Sequence, residues 1–101
     1  MKLRHVVLFG FVDETRDGAE VVRRFAALQT SVPGVEAFEW GSNSSPEGLN
    51  HGLSHAFLLT FASAAARDAY LVHPEHAAFG AWVKPLLSAV TVVDYGIEGG
   101  G

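Results

Sequence analysis

Cysteine is absent from this 101-residue sequence. That excludes a disulfide framework and thiolate chemistry, and it fits a cytoplasmic protein. Positive charge is also scarce. Seven Lys and Arg stand against eleven Asp and Glu, for a net charge of −4, and they are scattered. Nucleic acid needs a basic stripe, so no nucleic-acid partner is expected. No apolar run approaches the ~18 residues of a membrane-spanning helix, so no membrane partner is expected. "MKLRHVVLF" starts basic, but His5 interrupts its short apolar run and no small-residue cleavage site follows. It is not read as a signal peptide.

What the sequence has in excess is apolar surface: 49% of its residues are hydrophobic and only 18% charged. A chain of this length forms one domain, expected here over residues 1–96, with the tail 97–101 flexible. So small a globule buries little more than ~60% of its unfolded surface. The apolar surplus therefore points to a buried interface, an internal cavity, or both.

Alternation of side chains predicts strands at "RHVVLFGFV" (4–12), "VEAFEWGSN" (35–43), "LSHAFLLTF" (53–61) and "VTVVDYG" (90–96). On the first strand, His5, Val7, Phe9 and Phe11 share one face while Val6 and Leu8 share the other, and both faces are apolar. A helix capped by Asp17, with Glu20 in the capping-box position, is predicted to run to about Thr30, where "SVPG" stops it. Ser63 is the predicted cap of a second helix, "AAARDAYLVH", broken at Pro74. Residues before proline avoid helical geometry, which makes His73 the boundary, and Pro74 suits the first turn of a continuing helix. The order β-α-β-β-α-β is that of an α+β, ferredoxin-like split βαβ fold. Two helices cover one face of its sheet, leaving Val6, Leu8, Ala56, Leu58, Val93 and Tyr95 for a second subunit. Phe38, Trp40 and Tyr95 are the expected dimer contacts.

The five histidines carry the chemistry. His73 and His76 form an HxxH pair, but Pro74 puts them in different backbone segments, and no cysteine or carboxylate cluster completes a tetrahedral set. No metal site is expected. His5 and His55 are polar residues on otherwise apolar strand faces. One reading makes them core histidines with backbone or hydroxyl partners. The other follows from strand parity, which gathers His5, His55, Asp94, Tyr70 and His76 beneath the helices. Val7, Phe9, Phe57, Leu71, Phe79 and Val92 then form the walls. Few polar groups among apolar walls is the make-up of a small-molecule site. His76 is the expected general base, Asp94 accepting its other N–H, with Tyr70, His5 or His55 donating to an enolate oxygen. A His–Asp hydrogen bond that merely closes the core is the competing reading.

The ordered blocks "RHVVLF", "WGSNSSPEGLNHGLSHAF", "AYLVHPEHAAF" and "VVDY", spanning Leu3 to Tyr95, resemble the signature of the stress-responsive α/β barrel (Dabb) domain family. The resemblance implies a dimeric α/β barrel, two ferredoxin-like subunits packed sheet to sheet. It implies no cofactor. Members of that family include stress-induced plant proteins and a polyketide cyclase that works by aldol condensation. The positions here that match its working groups are His5, His76 and Tyr70, with His55 and Asp94 matching pocket positions. Phe25 stands where the cyclase has a tyrosine, which makes this pocket more apolar and puts the same substrate in doubt. Three functions are therefore expected in descending order: a module binding a small organic molecule, a cofactor-independent cyclase or isomerase, and a barrel like the antibiotic-biosynthesis monooxygenases or a haem-binding relative.

Overall fold

A computed structural model describes residues 1–97. Strand β1 (Leu3–Phe11) is followed by helix α1 (Glu14–Ser31), strands β2 (Val35–Ser42) and β3 (His55–Phe61), helices α2 (Ala64–Leu71) and α3 (Pro74–Val83), a 3-10 turn (Lys84–Leu86) and strand β4 (Leu87–Gly96). The strands form one antiparallel sheet in the order β2-β3-β1-β4. This is the ferredoxin-like fold. Ile97, expected in the tail, donates its N–H to the Lys2 carbonyl at 2.9 Å. The rest of the expected flexible tail lies outside the described residues.

The caps that start the helices are local. Ser63 accepts from the Ala66 N–H at 3.1 Å, as its position before an alanine-rich run predicts. Helix α1 begins a turn earlier than expected. Its cap is Asp13, which accepts from the Arg16 N–H at 3.0 Å, while Asp17 is engaged by the Arg16 guanidinium. Asp13 follows the strand directly, and with it as cap both Glu14 and Asp17 fall in the first turn, where the helix dipole favours negative charge. Helix α2 ends at Leu71, and His73 caps α3, with Pro74 in its first turn.

All three helices lie on one face of the sheet. The core between them is built from Val7, Phe9, Val21, Phe25, Phe57, Leu59 and Phe61, all buried. Rings cluster tightly there, with Phe25 4.5 Å from Phe57 and 4.9 Å from Phe79 between centroids. Strand β2 corrects one expectation. Phe38 and Trp40 pair with Leu59 and Phe57 and share their helix-facing side; Phe38 packs on Phe25 at 5.6 Å. They are not on the outer face, because the β2–β3 register shifts near Ala37. Val93 and Tyr95 do lie on the uncovered face and are about half exposed.

Candidate ligand cleft

An open cleft of about 680 Å³ lies between the sheet and α3, along the edge strand β4. β1 contributes His5, Val7 and Phe9 to its wall, α1 contributes Phe25, and Leu71 closes the end of α2. Helix α3 and the turn after it supply His76, Phe79, Gly80, Val83 and Lys84, and β4 supplies Leu87 to Val90, Val92 and Asp94. Parity explains His5, Val7 and Phe9 of β1 and Val90, Val92 and Asp94 of β4, alternate residues that point to the helix side; Leu87 to Ala89 join them where the β1–β4 register shifts beside Gly10. The break at Pro74 explains α3, since a separate helix turns His76 and Phe79 toward the sheet.

Asp94 is directly opposite His5 in the β1–β4 register. Its Oδ1 lies 2.7 Å from His5 Nδ1, and its Oδ2 accepts from the Arg67 guanidinium at 2.8 Å. A carboxylate so paired only accepts, so His5 Nδ1 carries the proton and Nε2 is left to the cleft side of the chemistry. The expected pairing of Asp94 with His76 is thereby corrected. Cross-strand register, which sequence parity does not reveal, gives the carboxylate to the other histidine. Arg67, on α2, was not anticipated, and no sequence motif marks it.

His76 reaches the cleft from α3 and meets the Tyr70 ring edge to face at 4.8 Å. Burial pushes its pKa below the ordinary histidine value, the neighbouring His5 pushes it further, and the Leu71 backbone acts in the opposite sense. At neutral pH it is an uncharged imidazole.

Tyr70 is buried behind His76 rather than on the cleft wall. Burial drives its phenol up to about 12, with Gln29 opposing. Its hydroxyl and Gln29 Oε1 are both buried without a hydrogen bond of good geometry. Phe57 is wholly buried core.

His55 stands apart. In the antiparallel β1–β3 register it faces Phe9, whereas His5 faces Leu59. Four residues of strand separate the two levels, about 13 Å at ~3.3 Å per residue. His55 instead stacks on Trp40, with ring centroids 5.9 Å apart and planes 9° apart, and its Nδ1 lies 2.9 Å from Ser54 Oγ. The expected convergence of three imidazoles thus reduces to two. His73 is occupied elsewhere, its Nδ1 accepting from the Glu75 N–H at 3.1 Å. Among the described residues no three His, Asp or Glu side chains gather as a metal-ligand set.

A ferredoxin-like domain with a bare outer sheet face and an apolar, histidine-ended cleft beneath its helices defines the class. Within that class, the chain belongs to the family described as the stress responsive A/B barrel domain, which matches residues 3–97. It is 34% identical over 95 residues to the stress-response A/B barrel domain-containing protein HS1 of Arabidopsis thaliana, covering 92% of this chain and 87% of that protein. It is 24% identical over 97 residues to olivetolic acid cyclase of Cannabis sativa, covering 94% and 96%. Of solved structures, At3g17210 from Arabidopsis thaliana superposes with a TM-score of 0.89 at 32% identity over 98% of both chains. A dimeric ferredoxin-like protein of unknown function from Jannaschia sp. CCS1 superposes at 0.81, with 28% identity over 96% of this chain and all of that one.

Proposed function

We propose that the protein is a cytoplasmic homodimer, joined through the outer sheet faces, that binds a small, mostly apolar organic molecule in the cleft. The observation that carries this reading is the cleft itself, with two imidazoles at one end of an otherwise largely apolar wall. Its volume falls within the ~300–1,000 Å³ of small-molecule sites. The dimeric relative from Jannaschia supports the assembly. Titration with N-phenyl-1-naphthylamine, a neutral apolar fluorophore, tests the binding: saturable enhancement at one site per chain is expected. Fluorescence that rises without saturating, or not at all, overturns it.

A second reading rests on the His5–Asp94–Arg67 chain of hydrogen bonds. In it the protein is a cofactor-independent cyclase or isomerase, a reading that the 24% identity to olivetolic acid cyclase supports. Neutral His76 removes a proton from the carbon beside a ligand carbonyl. The resulting enolate oxygen is met by the Nε2 side of His5, whose ring Asp94 holds through Nδ1. Phe25, in the wall beside Phe9, adds an apolar ring and no hydroxyl to the cleft.

A further inference from the structure

Three cleft residues stand one helical turn apart: His76, Gly80 and Lys84. The Lys84 N–H donates to the Gly80 carbonyl, so helical geometry continues through the whole stripe. Eight residues at ~1.5 Å rise place its two ends about 12 Å apart.

The middle of the stripe has no side chain. Glycine inside a helix is weaker than alanine because it loses more conformational freedom on folding. Nothing local requires it here. Gly80 does not have the left-handed φ of Gly34, and a Cβ built on it meets no heavy atom within 4 Å. What this glycine does preserve is room in the cleft it lines.

The two ends of the stripe differ in charge. The His76 end holds a neutral imidazole, and the nearby Asp94 is already engaged by His5 and Arg67. At the other end Lys84 is exposed and, among the described residues, forms no ion pair. Among the described residues it is the only Lys or Arg on the cleft wall.

We propose that the cleft is built for an elongated organic anion lying along α3. Its carboxylate or similar head meets Lys84, its apolar body fills the space over Gly80, and its far polar end reaches His5 and His76. This rests on the ligand-binding reading above and specifies its ligand class.

The test compares N-phenyl-1-naphthylamine with its sulfonated counterpart, 8-anilinonaphthalene-1-sulfonate, on the full chain. Lys84→Gln is expected to weaken the sulfonate about two- to fivefold, the range of a partly exposed ion pair, and to leave the neutral probe unchanged. Gly80→Leu is expected to weaken both tenfold or more. Gly80→Ala, which adds one methyl to a helix, is expected to raise the melting temperature and so shows that the site tolerates a side chain. If wild type binds neither probe, the ligand-binding reading itself falls. If wild type binds both but Gly80→Leu leaves both affinities intact, the ligand does not lie along α3. If Lys84→Gln affects both probes equally or neither, the anionic head is wrong. Either of these last two results overturns the inference while the cleft still binds.

Discussion

His5 and His76 open onto one cleft but are held by different means, and the difference assigns their work. His5 is fixed through Nδ1 by a carboxylate that is itself held by Arg67. His76 is kept uncharged by burial and by the nearness of His5. A group whose pKa is depressed stays a base at lower pH than usual. Deuterium uptake at the carbon beside the carbonyl of an activated methylene compound therefore measures the second reading. Its rate should hold as pH falls through 6.5, the ordinary histidine value, and drop only further down, where His76 takes its proton. His76→Ala should slow the exchange by ~10²–10⁴. Exchange no faster than in buffer, or equal in the variant, leaves ligand binding alone standing. Tyr70 has no direct part in this scheme, since its hydroxyl is buried beside Gln29.

At the scale of elements, the break between α2 and α3 does two things at once. Pro74 cannot extend α2 and prefers the first turn of a new helix. The residue before it takes the extended conformation of a cap, with φ −66° and ψ 138° at His73. The new helix direction then carries His76, Gly80 and Lys84 over the sheet. His73 is a structural cap, so His73→Ala should cost about 1 kcal/mol of stability. His73→Asn, which keeps a side-chain acceptor, should restore most of it. Thermal melts of both variants check this, with probe affinity unchanged. A melt unchanged by His73→Ala would mean that the Glu75 N–H finds water equally well. Close backbone approach at the other end of the sheet joins distant segments: a Cβ on Gly10 would collide with the Gly52 carbonyl, where the long β2–β3 connection folds back on β1.

The molecule as a whole is a slab, 36 × 33 × 16 Å, one sheet thick plus one layer of helices. Its radius of gyration, 13.8 Å, slightly exceeds the ~13 Å of a compact 100-residue domain, as a flat two-layer shape does. Val6, Leu8, Leu58, Val93 and Tyr95 stand on the bare face, where each fully buried aliphatic side chain is worth ~1.5–3 kcal/mol. In the proposed dimer a partner sheet supplies that burial. Val93→Asp places an unpaired carboxylate in the proposed interface twice over, once per copy, and should convert the dimer to monomer in light scattering at micromolar concentration. Wild type that is already monomeric there removes the dimer reading. No helix among the described residues is long and apolar enough to cross a membrane.

Strand parity, helix caps and the Pro74 break are properties of neighbouring residues, so the chain order alone determined the elements, the ferredoxin-like fold and the apolar character of both sheet faces. Even there Asp13 displaced Asp17 as the cap of α1, because two good capping residues stood four apart and the strand end chose between them. Contacts between distant strands obey no such local rule. A one-residue change in register moves a side chain to the other face, and a shift of two or more residues changes what it meets. Only the tertiary structure therefore decided that Asp94 serves His5 rather than His76. It alone sent His55 to Trp40 at the far level of the sheet, put Phe38 and Trp40 on the helix-facing side, and laid His76, Gly80 and Lys84 along one cleft.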